Sequence, residues 1–184
     1  MNRVVITGGP ATGKTSLITE LKELGYAIFP EVARSVIKQQ LALNSNKVPW
    51  LDVSDFSQLV LAKQCDHFKM AENSLSFFDR GIPDIIGYLN HADQPFFDSL
   101  IATAENHMYD FVFILPPWKE IYETDNERRE EFFEATKLFK AINDAYIRLG
   151  YQTIEVPKLT IKERIQFILC LLYTSPSPRC LLYT

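Results

Sequence analysis

Gly8-Gly9-Pro10-Ala11-Thr12-Gly13-Lys14-Thr15, preceded by the apolar run Val4-Val5-Ile6 and followed by the helix-like stretch Ser16 to Leu24, decides how the chain folds. These residues complete the pattern G-x-x-x-x-G-K-[ST] in its required context of strand, loop and helix. Glycines let the backbone wrap closely around a polyphosphate, so that successive N–H groups and the following helix N-terminus point at negative charge. The expected cradle is Gly8, Gly9, Pro10, Ala11, Thr12 and Gly13, continued by Lys14, Thr15 and Ser16. Lys14 is the residue that reaches the β- and γ-phosphates, and the Thr15 hydroxyl is the one that coordinates Mg2+. Binding of ATP or GTP follows.

At 184 residues the chain is expected to form one α/β domain with a substantial core. A hydrophobic content of 47%, a charged content of 23% and a net charge of -4 are ordinary for a globular protein and argue against wrapping nucleic acid. No apolar run approaches the roughly 20 residues of a spanning helix, and no signal-peptide pattern opens the chain, so a cytoplasmic location is expected. Of the three cysteines only Cys65 lies inside the expected fold, which argues against a disulfide framework.

Outward from the loop, apolar runs alternate with helical segments, as βαβ units require. Strands are expected at Arg3–Thr7, Ala27–Phe29, Ser76–Phe78, Phe111–Leu115 and Gln152–Val156. Helices are expected at Lys14–Leu24, Glu31–Asn44, Ser54–Asn73, Pro83–Leu89, Phe96–Asn106 and Glu127–Leu149, with a last one begun near Thr160. In the helix Glu127–Leu149, Phe132, Thr136, Phe139, Ile142, Tyr146 and Leu149 form one stripe; Thr124 with Glu127 reads as a capping box, and Gly150 as the C-cap glycine. The expected architecture is a three-layer α/β/α sandwich on a five-stranded parallel sheet of order 2-3-1-4-5, with nucleotide at the carboxyl ends of the strands.

The last residues read differently. Cys170–Thr174 (C-L-L-Y-T) recurs at Cys180–Thr184 across the spacer S-P-S-P-R, a repeat with no solenoid or helix logic. The segment resembles translated adapter or cloning read-through, so the domain is expected to span residues 1–169 and the tail 170–184.

Three further clusters carry chemistry. In Phe77-Phe78-Asp79-Arg80-Gly81-Ile82-Pro83-Asp84, an apolar strand ends in an acid followed by a base. Asp79 stands where a carboxylate beside the loop holds Mg2+, directly or through water. Asp84, just after Pro83, reads as a first-turn acid that favours the helix macrodipole. In Pro116 to Arg129, the adjacent Arg128 and Arg129 are the type of pair that stabilises charge spreading over a transferred phosphoryl group, while Trp118 and Tyr122 read as packing residues. In Pro30-Glu31-Val32-Ala33-Arg34, Glu31 is positioned either to accept a proton from a substrate hydroxyl or to favour the next helix N-terminus, and Arg34 to bind an anionic or polar substrate group. Gln64, in mid-helix, is expected to reach the same pocket.

The series G-G-P-x-x-G-K-T, P-E-x-x-R, F-F-D-R-G-x-x-D, L-P-P-W-x-E-I-Y-x-x-D-x-E-R-R and V-P-K resembles the NadR-like AAA-type ATP-binding domain family over nearly all of Met1 to Leu169. That family is similar to small P-loop kinases, among them nicotinamide riboside kinases and, more distantly, deoxynucleoside and thymidylate kinases. The resemblance implies that Asp79 and Arg80 are the acid–arginine pair after the third strand, with Arg80 on the substrate. It also implies that Arg128 and Arg129 are lid arginines and Glu31 the substrate-side acid. Pro157, in the V-P-K stretch, is expected to border the adenine.

The expected function is therefore a kinase that uses ATP and Mg2+ to phosphorylate a small-molecule hydroxyl, nucleoside- or nucleotide-like. The alternative is a nucleotide-dependent ATPase or GTPase switch whose Pro116–Arg129 segment orders for a protein or lipid partner. A GTPase would carry an N/T-K-x-D motif, and the single asparagine followed by lysine, Asn46-Lys47, continues Val48-Pro49. No membrane span is expected, and the sequence fixes no oligomeric state.

Overall fold

The computed structural model describes residues 2–71, 74–120 and 126–174, with 126–131 and 174 described in their backbone alone. In chain order the elements are β1 (Arg3–Gly8), α1 (Lys14–Glu23), β2 (Ala27–Phe29), α2 (Val32–Ala42), α3 (Val53–Met70), β3 (Ser76–Asp79), α4 (Ile82–His91), α5 (Ser99–Asn106), β4 (Phe111–Leu115), α6 (Asn126–Arg148), β5 (Thr153–Glu155) and α7 (Ile161–Thr174). The five strands form one parallel sheet of order β2-β3-β1-β4-β5. Order and strand positions agree with the sequence reading.

Strand side chains alternate between two cores, which is why the central strands read as unbroken apolar runs. Val4 and Ile6, Phe77, and Phe111, Phe113 and Leu115 face one layer, where Leu17 and Leu21 of α1 and Ile165 and Ile168 of α7 cover them. Val5, Phe78, and Val112 and Ile114 face the other, against Leu138, Ile142 and Tyr146 of α6. A third cluster joins α2, α3, α4 and α5 through Val36, Val60, Ile86 and Leu100 beside that second layer.

Several helix ends lie one to three residues from their expected positions. The helix expected from Phe96 starts at Ser99, because Phe97 packs against the α2–α5 cluster in an irregular segment and Leu100 N closes onto its carbonyl at 3.0 Å. Helix α7 runs from Ile161 to Thr174, and Leu172 continues its Ile165–Ile168 stripe, itself buried at 7% exposure. Tyr173 Oη also meets Tyr26 Oη at 3.3 Å. Thr124 of the expected capping box, Tyr122 and residues 175–184 lie outside the described residues. Among the described residues no helix is long and apolar enough to cross a membrane.

Helix α6 is set close to α4 by Gly87. A Cβ there would lie 2.7 Å from Ile142 Cα and 3.0 Å from Ile142 N, backbone atoms that cannot step aside. Gly87→Ala is expected to lower stability by about 1–3 kcal/mol through overpacking, read as a lowered thermal midpoint. An unchanged midpoint would mean that the two helices are not held at this spacing.

Candidate functional site

The phosphate-binding pattern folds as its spacing requires. Strand β1 ends at Gly8, whose φ of 134° and whose approach to the Leu115 carbonyl leave no room for a Cβ. Gly13, at φ 84°, caps the start of α1. Lys14 is 7% exposed and turns back over the loop. Its Nζ donates to the Gly8 carbonyl at 3.0 Å, to the Gly9 carbonyl, and to Thr12 Oγ1 at 3.4 Å. Burial pushes the Lys14 ammonium down to about 7; the Arg80 charge adds to that, while Asp79, Asp84 and Glu31 oppose it. Thr15 and Ser16 stand exposed in the first turn of α1.

Asp79 ends β3 opposite Ile6 of β1, at the carboxyl edge of the sheet beside the loop. Its Oδ1 is buried with no hydrogen-bond partner. Burial first and then the Glu31 charge raise its carboxyl, against the pull of Arg80 and Lys14. A buried, unpartnered carboxylate oxygen of this kind is relieved by a cation. The carboxylate of Asp79 and the hydroxyl of Thr15 are both hard oxygen donors, the type a divalent Mg2+ ion takes. Among the described residues no group of three or more His, Cys, Asp and Glu could hold a metal on its own, so such an ion would complete its shell with phosphate and water oxygens.

Arg80 ties the loop to its surroundings. Its φ of 72° is left-handed, a conformation that costs a non-glycine residue on the order of 1–2 kcal/mol. The cost is met by contacts on every side. Arg80 N donates to the Ile6 carbonyl at 3.1 Å, Nη1 to Gly8 O and Asp84 Oδ1 at 3.1 Å each, and Nε lies 3.7 Å from Glu31 Oε1. The guanidinium also sits 5.1 Å from the Tyr88 ring centre. Burial alone would lower its pKa, but Tyr88, Asp84, Glu31 and Asp79 outweigh it and the guanidinium is held firmly charged.

Asp84 does more than face a helix dipole. Its Oδ1 accepts from Thr7 Oγ1 and Arg80, and its Oδ2 accepts from Gly81 N at 2.9 Å and Tyr146 Oη at 2.6 Å. One buried carboxylate therefore joins β1, the β3–α4 turn and α6. Burial and then Asp84 push the Tyr146 hydroxyl well above its ordinary range, so it remains a proton donor. Sequence reasoning missed Thr7, although a lone hydroxyl at the end of an apolar strand just before the loop was a usable signal. Tyr146 was legible only as one member of an apolar stripe.

Beside Arg80 a cavity of about 360 Å3 opens between α2, α3 and α4. Glu31, Gln64 and Arg80 all line it, with apolar walls that include Val32, Phe56 and Ile85. Three of the four sequence-predicted substrate residues thus converge. Gln64 is 5% exposed, and its Oε1 has no partner. Arg34 does not join them. Its side chain is 70% exposed and pairs with Glu31 Oε2 at 3.0 Å, one helical turn along the surface. Arg128 and Arg129 fall in the opening turn of α6, and their side chains lie outside the described residues. Pro157 follows β5 at the sheet edge, next to Val156, whose N–H donates to the Ile114 carbonyl at 2.9 Å. Arg164, unforeseen in the sequence, donates from Nη1 to the Thr12 carbonyl at 3.1 Å and lies 4.7 Å from the Trp118 ring centre.

Compared with known proteins, residues 3–164 match the family model described as an AAA domain. No curated protein matches the chain. Among solved structures it is similar to deoxyadenosine kinase from M. mycoides, bound to dCMP and a flexible dCDP, at a TM-score of 0.65 and 18% identity over 94% of this chain and 100% of that one. Thymidylate kinase from Ehrlichia chaffeensis superposes at 0.63 and 15% identity, covering 93% of this chain and 98% of that one. Shikimate kinase from Acinetobacter baumannii, in complex with shikimate, superposes at 0.58 and 14% identity, covering 95% and 94%. At these identities the likeness is one of fold, that of the small P-loop kinases.

Proposed function

The chain belongs to the AAA domain family, and from that premise we propose that it is a kinase, binding ATP with Mg2+ and transferring the γ-phosphoryl group to a hydroxyl of a small, nucleoside- or nucleotide-like molecule. The observation that carries the reading is Arg80, which touches the loop at Gly8 O and lines the cavity that also holds Glu31. A switch needs a phosphate loop; it has no need of a second cavity joined to that loop by one guanidinium.

In this reading the loop from Gly8 to Ser16 and Lys14 hold the phosphates, and Pro157 borders the base. Thr15 and Asp79 hold Mg2+, which when bound offsets phosphate charge and orients the reacting oxygens. The acceptor fills the cavity, with its polar edge on Gln64 and its hydroxyl between Glu31 and Arg80. Glu31 takes the hydroxyl proton while Arg80 holds the hydroxyl oxygen in line. Arg34, at the rim, meets any anionic group that the acceptor carries. Arg128 and Arg129 stabilise charge on the phosphoryl group in flight. The test is ADP release from Mg-ATP by purified protein across a panel of nucleosides, nucleotides and other hydroxyl metabolites. Release that no acceptor stimulates would sink the kinase reading.

Asp79→Asn keeps the size and removes the charge. Since Oδ1 makes no hydrogen bond, the folded protein should lose little stability, while acceptor-dependent turnover falls about a hundredfold or more. A variant that melts several degrees lower and keeps its rate would make Asp79 a structural residue.

A further inference from the structure

Arg164 is a buried charge that the chemistry above leaves unused. It projects from α7 at 4% exposure, and among the described residues no carboxylate pairs with it. Burying a cation without an anion is costly, and burial does lower this guanidinium's pKa. Among the described residues its guanidinium meets the phosphate loop and Trp118. Nη1 donates to the Thr12 carbonyl at 3.1 Å, the same Nη1 would sit 3.0 Å from a Cβ built on Gly13, and the guanidinium carbon lies 4.7 Å from the Trp118 ring centre. Nε is buried with no partner. The arrangement serves the Thr12 carbonyl and little else.

A carbonyl cannot be held without holding the amide behind it. Across a trans peptide the Thr12 C=O and the Gly13 N–H are antiparallel, so a grip on the carbonyl directs that N–H away from Arg164. Gly13 sits at φ 84°, and a glycine tolerates either orientation of the peptide plane that precedes it. The loop's own sequence therefore leaves this plane free to turn. We propose that Arg164 is a positioning residue of the phosphate loop, a latch that fixes the Thr12–Gly13 peptide plane so that the Gly13 N–H faces a bound polyphosphate. This inference rests on the loop being a polyphosphate cradle. Trp118 lies against the guanidinium with its ring centre 4.7 Å away, and Arg164 itself is 4% exposed. The planar fork matters as much as the charge, because an ammonium carried on a flexible stem fixes no plane.

The test is calorimetric titration of the full chain with two probes, Mg-ATP and inorganic tripolyphosphate with Mg2+. In Arg164→Gln the Kd of both is expected to rise by the same factor, about tenfold or more, while kcat at saturating ATP stays within about threefold. Arg164→Lys should recover only part of the tripolyphosphate affinity. A folded Arg164→Gln that binds tripolyphosphate as wild type does would overturn the latch. So would a loss confined to ATP, which would make Arg164 a base contact acting through Trp118. Should Arg164→Gln fail to fold, Arg164→Lys carries the same measurement, and unchanged tripolyphosphate affinity there overturns the proposal. Wild-type protein binding neither probe would overturn the loop reading and the latch with it, a result distinct from any variant effect.

Discussion

Lys14→Ala is expected to lower Mg-ATP affinity and acceptor-dependent turnover together, by on the order of a thousandfold, with the fold intact. The side chain that now tops the Gly8 and Gly9 carbonyls would make charge-assisted bonds to phosphate oxygens. Two such bonds of about 2 kcal/mol each amount to roughly three powers of ten. A proton accompanies them. With its pKa near 7 in the free protein, Lys14 is mostly neutral at pH 8, and closing on polyphosphate recharges it, so binding at that pH should take up about one proton. Titration in buffers of different ionisation enthalpy reads the uptake, and in Lys14→Ala it should vanish. Stability follows the same sign. Because the folded value lies below the ordinary 10.5, the unfolded chain binds more protons between pH 7 and 10.5, and this residue makes the free protein more stable as pH rises through that window. Unchanged Mg-ATP affinity in a folded variant would remove the loop from the mechanism.

Replacing Arg128 and Arg129 together by alanine is expected to depress kcat by on the order of a thousandfold while ATP affinity changes by about threefold or less, because lid arginines act mainly on the transition state. That split separates a kinase from a slow switch, in which the same double substitution would chiefly alter partner binding. Turnover that survives within about a factor of three would leave the pair as part of a solvated helix face.

The fold was legible because its strands are buried on both faces. Val4-Val5-Ile6 and Phe111 to Leu115 are continuous apolar runs, and only a sheet covered by helices on both sides makes them so. The loop was legible because its backbone needs dictate residue types. What escaped the sequence was convergence from a distance. Asp84 in a first helical turn has the same signature whether it faces a dipole or joins Thr7, Gly81 and Tyr146. Arg164 belongs to no motif legible in the sequence, and only the fold brings it 152 residues back along the chain to Thr12. Arg34 lies outside the cavity, where it pairs with Glu31 one helical turn away.

Helix α6 is a beam clamped at one end. Ile142 and Tyr146 are seated on α4 and Asp84, and about three turns earlier the Ala135 carbonyl would lie 3.2 Å from a Cβ on Gly9, so the beam also rests on the phosphate loop. Beyond that rest its backbone continues for another two turns, roughly 10 Å, to Arg128. The loop is thus the fulcrum of the overhang that carries the two arginines. Glycine at position 9 therefore sets how near the helix backbone that leads to Arg128 and Arg129 can lie to the loop, since a Cβ there would press on the Ala135 carbonyl at 3.2 Å.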